Sequence, residues 1–151
     1  MQENTILLVE DNPDDEALAL RAFRNIDDIK SVIVVRDGAE ALDYLFGTGT
    51  YEGRDTRLQP RLILLDMKLP KLNGLDVLRR VRMDERTRFH PVVLMTSSRQ
   101  ESDIMAGYSL GANSYIQKPV NFDEFVEAMR DLARYWMRIN RTPNLALPAY
   151  N

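Results

Sequence analysis

The feature that most constrains the fold is a continuous apolar run at residues 62–65, which ends on a single carboxylate at Asp66. Such a run suits a strand of a parallel sheet covered by helices on both faces, although a buried helix segment has similar periodicity. A carboxylate in these surroundings is costly to bury unless hydrogen bonds, a cation or a metal compensate its charge. Asp66 is therefore either a solvated residue in the turn after the strand or part of a functional site.

Four more apolar runs occur along the chain, and between them apolar residues recur at the spacing of amphipathic helices. The predicted strands lie at residues 5–9, 31–35, 60–66, 92–96 and, together with its exit, 114–119. Strands that alternate with helices form parallel sheets with right-handed crossovers. The pattern therefore predicts an α/β fold with a doubly wound, five-stranded parallel sheet.

Several residues mark where the predicted helices begin and end. Pro13 suits the first turn of helix one, and residues 98–101 match a capping box that would open helix four. Gly111 would end helix four, because glycine adopts the backbone conformation that closes a helix. Asn121 is the predicted N-cap of helix five, which we expect to extend to about residue 140.

The connection at residues 47–59 is polar, contains glycine and is longer than is usual between a helix and a strand of such a sheet. We interpret it as a surface loop, with a helix extension or a partner contact as the alternative. His90, the one histidine of the chain, precedes a proline at the start of a strand, and we expect it at the surface.

Composition excludes some classes of function. A chain of 151 residues with 44% hydrophobic content can form one domain with an ordinary core. The net charge of -3 gives no electrostatic reason to expect nucleic-acid binding, and the absence of cysteine excludes disulfides and thiolate chemistry. Because no signal-peptide pattern or membrane-length apolar run is present, we expect a soluble, cytoplasmic protein.

Polar residues stand at the carboxyl ends of four predicted strands. Glu10 and Asp11 follow the first strand, Asp66 ends the third, Thr96 ends the fourth and Lys118 follows the fifth. In a parallel sheet these strand ends lie along one edge, so we expect the five side chains to converge. Each residue alone has an ordinary explanation, such as a strand-end cap or a surface lysine, but their joint placement favours a site.

The chemistry of this set indicates phosphoryl transfer. Three neighbouring carboxylates repel one another unless a cation lies among them, and oxygen ligands without a histidine or cysteine cluster favour Mg²⁺. Asp66 is the expected nucleophile, forming an aspartyl phosphate, with Glu10 and Asp11 as metal holders. Thr96 and Lys118 would supply a hydroxyl donor and a cation to the oxygens of the phosphoryl group.

As a set, the motifs resemble the receiver domain of bacterial two-component response regulators, from about Thr5 to Ala133. The motifs are Val9-Glu10-Asp11, Leu64-Leu65-Asp66-Met67-Lys68-Leu69-Pro70 with Gly74, Met95-Thr96-Ser97, and Gly111-Ala112-Asn113-Ser114-Tyr115-Ile116-Gln117-Lys118-Pro119. The resemblance implies a flavodoxin-like (β/α)5 fold with strand order 2-1-3-4-5 and phosphotransfer from the histidine of a sensor kinase to Asp66.

The same resemblance implies a ligand set for the metal. Asp11, Asp66 and the backbone carbonyl of Lys68 would bind Mg²⁺ directly, and Glu10 would act through water. Thr96 and Lys118 would contact the phosphoryl group. The peptide bond between Lys118 and its following proline would be cis.

The resemblance also implies a switch. Thr96 would move toward the phosphoryl group while Tyr115 on strand five turns inward, and helix four, strand five and helix five would form the output surface. From its residues alone, Tyr115 also fits a core tyrosine whose hydroxyl reaches solvent. Lys68 and Ser98 occupy the positions that tune the lifetime of the phosphoryl group, and neither side chain is an acid or amide that orients attacking water well.

We expect residues 1–140 to form the receiver domain and residues 141–151 to form a C-terminal arm, with no separate output domain. The acidic segment after strand one, the insert before strand three and the extended C-terminus also resemble the small response regulators that partner bacterial phytochromes. Apolar residues continue through the end of the chain, and either the arm folds on its own domain or it packs on a second copy. We favour a homodimer through helix four, strand five, helix five and the arm.

The favoured function is a phosphorylated signalling switch that turns over no separate substrate. Three other functions are alternatives to it. An aspartyl-phosphate hydrolase would have an aspartate as general acid two residues after the nucleophile, where this chain has Lys68. A flavin carrier would have a phosphate-binding loop after strand one, but that loop is acidic here. A receiver-like interaction module that is never phosphorylated would not need the acid cluster, Thr96 and Lys118.

Overall fold

The computed structural model describes residues 2–143, with side chains from Asn4 onward. The strands are β1 (Gln2–Val9), β2 (Ser31–Val35), β3 (Gln59–Asp66), β4 (Val92–Thr96) and β5 (Ser114–Gln117). The helices are α1 (Pro13–Phe23), α2 (Gly38–Phe46), α3 (Gly74–Met83), α4 (Glu101–Ser109) and α5 (Phe122–Arg134). All paired strands are parallel, and the sheet order β2-β1-β3-β4-β5 confirms the predicted flavodoxin-like topology.

Strand β3 lies in the middle of this sheet and is buried on both faces, as its apolar run predicts. Ile63 and Leu65 belong to a core cluster with residues of α2 and α3 on one face. Leu62 and Leu64 belong to a second cluster with residues of α1 and α5 on the other face. Burying each of these side chains stabilises the fold by about 2 kcal/mol, so the strand that presents Asp66 is held firmly between two layers of helices.

Two of the predicted helix starts are confirmed. Pro13 is the first residue of α1, and the Asn121 side chain accepts backbone N–H bonds at the start of α5. The predicted capping box before α4 is wrong, because Gln100 occupies the N-cap without a side-chain bond. The hydroxyl of Ser98 instead donates to Asp103 at 2.6 Å. The prediction that Gly111 closes α4 agrees with its φ of 97° just beyond the helix.

The insert at residues 47–59 contains a short 3₁₀ helix, Gly49–Tyr51, and lies on the surface as predicted. It is fastened to the domain by Arg54. The guanidinium of Arg54 donates to the backbone carbonyls of Tyr44 and Leu58 at 2.6 Å each, and to that of Leu45 at 3.3 Å. These bonds make the insert a fixed part of the domain.

Beyond α5 the chain continues as a π-helical turn, Tyr135–Ile139, so the helical segment extends close to residue 140 as predicted. Met137 in this turn is 2% exposed, and its carbonyl accepts a hydrogen bond from Arg61 of β3 at 3.0 Å. The π-helical turn is therefore part of the core. The predicted arm residues Leu145, Leu147, Pro148 and Tyr150 lie outside the described residues. Over the part of the chain that the structure describes, no helix combines the length and apolar character needed to span a membrane.

The predicted surface position of His90 is wrong. Its side chain is buried, and its ring nitrogen Nε2 contacts the side-chain oxygen of Gln59 at the start of β3. The sequence around His90 does not indicate this contact, because its partner Gln59 lies 31 residues earlier in the chain.

Candidate functional site

The structure brings the strand-end residues together at the carboxyl edge of the sheet. One carboxylate oxygen from each of Glu10, Asp11 and Asp66 lies within 4.8 Å of the other two. Lys118 reaches the same point from the end of β5, and its backbone N–H donates to the carbonyl of Thr96 at 2.8 Å. Residues separated by more than 100 positions in the sequence therefore form one site, because the parallel strands end along one edge.

The ammonium of Lys118 is surrounded by three carboxylates. Its Nζ atom lies 2.7 Å from Oε1 of Glu10, 2.8 Å from Oδ2 of Asp66 and 2.8 Å from Oδ2 of Asp15. The contact between Asp15 and Lys118 was not predicted from the sequence. The signal that could have revealed it is the position of Asp15 four residues after Asp11, within the first turn of α1.

Burial and charge perturb two groups of the site. Burial is the largest cause that raises the pKa of Glu10 to about 8, and hydrogen bonding with Asp66 is the second. Lys118 opposes this increase. Burial by itself disfavours the ammonium of Lys118, but its hydrogen bonds to Asp15, Asp66 and Glu10 raise its pKa above the usual value. Lys118 therefore remains a cation while the crowded carboxylates compete for charge compensation.

The acceptor candidate Asp66 is held on both oxygens. Its Oδ1 accepts the backbone N–H of Lys68 at 3.0 Å, and its Oδ2 faces Lys118. Gly74, at the start of α3, approaches the Asp66 backbone so closely that a Cβ atom there would clash with the Asp66 carbonyl oxygen. The Lys68 side chain is exposed at the rim. The carboxylate is thus fixed in direction while one side of it faces solvent.

The pocket at this edge is shallow and open. Its lining residues are Asp11, Asn12, Pro13, Asp15, Asp66, Lys68, Thr96, Ser97 and Lys118. The lining includes every predicted site residue except Glu10 and Tyr115. Glu10 lies beneath the pocket, with 1% of its surface exposed. An open, charged pocket of this kind suits a small anionic group presented by another molecule.

Thr96 and Tyr115 are linked through Ser98. The hydroxyl oxygen of Thr96 accepts the backbone N–H of Ser98 at 3.2 Å, so its own proton remains available for donation. The hydroxyl of Tyr115 donates to the Ser98 carbonyl at 3.2 Å, and its ring packs against the core beside Gly107 of α4. The segment between β4 and α4 therefore connects the site to the face formed by α4 and β5.

The peptide bond between Lys118 and Pro119 is trans, since the described residues contain no cis peptide bond. The cis bond that the resemblance implied is therefore wrong for this structure. Lys118 reaches the carboxylates with the trans bond in place.

The residues present fit a magnesium ion. Glu10, Asp11 and Asp66 supply hard oxygen ligands, which Mg²⁺ prefers over other donors. The Lys118 ammonium contacts Glu10 and Asp66, whereas the exposed Asp11 makes no ion pair with Lys118 in the described structure. One cation among these carboxylates leaves negative charge that a divalent ion can compensate.

Comparisons with known proteins agree with this arrangement. The response regulator receiver domain model matches residues 6–130. A probable methanogenesis regulatory protein, FilR2 of Methanothrix harundinacea, is 40% identical over 93% of this chain and 88% of its own length. The response regulator Rcp1 of Synechocystis is 33% identical over 91% of this chain and 92% of its own length.

Two solved structures are also closely similar. The phosphorylated cyanobacterial phytochrome response regulator RcpA has a TM-score of 0.87 at 35% identity, covering 93% of this chain and 99% of that chain. The Mn²⁺-bound form of response regulator Rcp1 has a TM-score of 0.85 at 32% identity, covering 92% of this chain and 98% of that chain. Taken together with the fold and the acidic site, these matches show that the chain belongs to the receiver domain family of two-component response regulators, close to the phytochrome response regulators.

Proposed function

We propose that this receiver domain is a signalling switch that accepts a phosphoryl group on Asp66 from the phosphohistidine of a sensor kinase. The observation that carries the proposal is the placement of the Asp66 carboxylate, with Lys118 at 2.8 Å and the oxygens of Glu10 and Asp11 within 4.8 Å. The Lys118 ammonium, together with a divalent ion that the neighbouring acids would hold, supplies the positive charge that a carboxylate needs to meet an incoming phosphoryl dianion.

In the transfer step, a carboxylate oxygen of Asp66 attacks the phosphorus atom. The bond between phosphorus and the kinase histidine nitrogen breaks, and that nitrogen takes up a proton from solvent. Lys118 and the Thr96 hydroxyl donate hydrogen bonds to phosphoryl oxygens. Asp11, Asp66 and the Lys68 carbonyl would hold Mg²⁺, with Glu10 acting through water, and the ion would supply positive charge to the phosphoryl oxygens when bound.

The phosphorylated site signals through a surface made by α4, β5 and α5. Thr96 is drawn toward the phosphoryl group, and the shift reaches Tyr115 through the Ser98 backbone, which both side chains contact. Exposed apolar side chains give this surface the character of a docking face. They are Met105, Tyr108, Val120 and Phe122, which are 51–91% exposed.

The partners follow from the same proposal. The similarity to the phytochrome response regulator RcpA supports a phytochrome-type sensor kinase as the phosphoryl donor. The docking face, together with the C-terminal arm at residues 141–151, pairs two copies in a homodimer. The receiver domain then comprises residues 1–140, and the protein turns over no separate substrate.

The assignment of Asp66 is tested with acetyl phosphate and Mg²⁺, measuring the mass increase of one phosphoryl group on the intact protein. Wild type and Asp14→Asn, an exposed acid beside the site, should both be labelled, and the label should be labile to acid and base. Asp66→Asn should carry no label. Equal labelling of Asp66→Asn and wild type would disprove the proposed acceptor.

A further inference from the structure

The ammonium of Lys118 has three N–H donors, and in this structure three carboxylates receive them. Two of these acceptors, Glu10 and Asp66, belong to the proposed phosphorylation site. The third, Asp15, lies on α1 with Oδ2 2.8 Å from Nζ of Lys118, and it is not one of the three carboxylates grouped as candidate metal ligands. The lysine that must meet the phosphoryl group is therefore also held by an additional acid.

The position of Asp15 is set by the start of α1. The Asn12 side chain accepts the backbone N–H groups of Asp14 and Asp15 at 2.9 and 3.1 Å, which fixes the first turn. The Asp15 side chain is then directed at Lys118 and is 26% exposed, whereas Asp14 is exposed and makes no ion pair with Lys118 in the described structure. Two adjacent acids on one helical turn thus differ in their contact with the site.

Phosphorylation changes the charge around Lys118. When Asp66 attacks acetyl phosphate, the new P–O bond forms, the bond to acetate breaks and acetate leaves, so the side chain changes from one negative charge to two. One Lys118 donor then passes from Asp66 to a phosphoryl oxygen. The negative carboxylate of Asp15 repels this added negative charge. It also accepts one Lys118 N–H, which therefore does not reach the phosphoryl group.

We propose that Asp15 is a positioning residue that holds Lys118 in the site and restrains the phosphorylation of Asp66. The inference rests on the proposed function, because it concerns the same acceptor and the same lysine. Asp15→Asn keeps the size of the side chain and leaves an amide oxygen that still accepts a Lys118 N–H. It removes only the charge, so phosphorylation should become faster.

The experiment compares Asp15→Asn with Asp14→Asn, which makes the same change in net charge on the same turn. The measurement is the apparent second-order rate constant of labelling by acetyl phosphate at saturating Mg²⁺. A charge interaction of a partly exposed pair predicts a rate about fivefold higher for Asp15→Asn than for Asp14→Asn. Damage to the fold would lower the rate, so an increase distinguishes the proposed role from a structural one.

Asp15→Ala tests the positioning part, because alanine removes the charge and the hydrogen bond that holds Lys118. Its gain should be smaller than that of Asp15→Asn, and an equal gain would overturn the positioning role. Rates for Asp15→Asn at or below those of Asp14→Asn would overturn the restraint. Labelling in the double variant Asp15→Asn/Asp66→Asn, or its absence in wild type, would instead disprove the proposed function.

Discussion

The Nε2 atom of His90 lies 3.0 Å from the Oε1 atom of Gln59, and both side chains are buried at the edge of the sheet opposite the acidic site. The Nε2 amide of Gln59 donates to the carbonyls of Leu45 and Thr56. Its oxygen therefore faces the histidine as an acceptor, and neutral His90 carries its proton on Nε2. This pair joins the insert, β3 and the start of β4.

Burial of His90 predicts a loss of stability in mild acid. Burial lowers the pKa of His90 from its usual value of 6.5 to about 4, and the positive charge of Arg82 is the second cause of this decrease. Between these values the unfolded chain binds a proton that the folded chain does not, so the free energy of unfolding falls as the pH falls from 6.5 toward 4. Between pH 7.5 and pH 5 this group alone should cost about 2 kcal/mol.

Urea unfolding at pH 7.5 and pH 5 checks this prediction by comparing wild type with His90→Gln. The variant should lose about 2 kcal/mol less than wild type over this interval, whatever its stability at pH 7.5. The comparison cancels the other titrating groups, which the two proteins share. The same pH dependence in both proteins would contradict the assigned role of His90.

Arg82 should contribute to stability mainly through hydrogen bonds to the backbone. Its guanidinium donates to the carbonyls of Gly111, Arg88 and His90, and to the side chain of Asn113. Arg82→Met leaves these acceptors without their donor and should lower the free energy of unfolding by about 3 kcal/mol.

Arg80, two positions earlier on the same helix, is exposed and provides the matched control, because Arg80→Met removes the same charge. We expect this control to change the free energy of unfolding by less than about 0.5 kcal/mol. Arg82→Lys should also be less stable than wild type, because the lysine ammonium does not reproduce the planar set of guanidinium N–H donors. Similar losses for Arg80→Met and Arg82→Met would refute this account.

Magnesium should stabilise the folded domain through the carboxylate cluster. An ion that binds only the folded state adds about 1.4 kcal/mol when its free concentration is ten times its Kd. Asp11→Asn should lose most of this gain, because Asp11 is a member of the cluster, while Asp14→Asn should keep it. Thermal unfolding with and without Mg²⁺ measures the effect, and an unchanged gain in Asp11→Asn would exclude Asp11 as a ligand.

The phosphoryl group on Asp66 should persist for minutes or longer without a phosphatase. The Lys68 side chain is exposed, and the hydroxyl of Ser98 is occupied by a 2.6 Å bond to Asp103, so neither orients an attacking water. The test removes the phosphodonor from labelled protein and follows the remaining label by intact mass. Loss of the label within seconds would show that another group activates water.

The C-terminal arm should be needed for the homodimer. Cleavage after Ala133 would remove the buried Met137, so truncation after Pro143 is the sharper test because it keeps the whole described core. Light scattering should give the mass of two chains for the full protein and of one chain for the truncated protein. A truncated protein that retains the mass of two chains would place the dimer contact elsewhere.

Periodicity and strand-end residues determined the architecture and the location of the acidic site. The apolar run before Asp66 is buried on both faces, and alternation along the chain specified five parallel strands. Parallel strands necessarily end along one edge, so the convergence of Asp66, Thr96 and Lys118 could be read from topology before any side-chain distance was known.

Tertiary structure alone decided which partner each polar side chain takes. Asp15 and Lys118 meet across 103 positions, His90 pairs with Gln59 inside the fold, and Ser98 bonds Asp103 in place of the predicted helix cap. Local patterns define helices, strands and faces because these depend on neighbouring residues. Hydrogen-bond partners depend on the space and burial left after the helices pack on the sheet, and no local pattern carries that information.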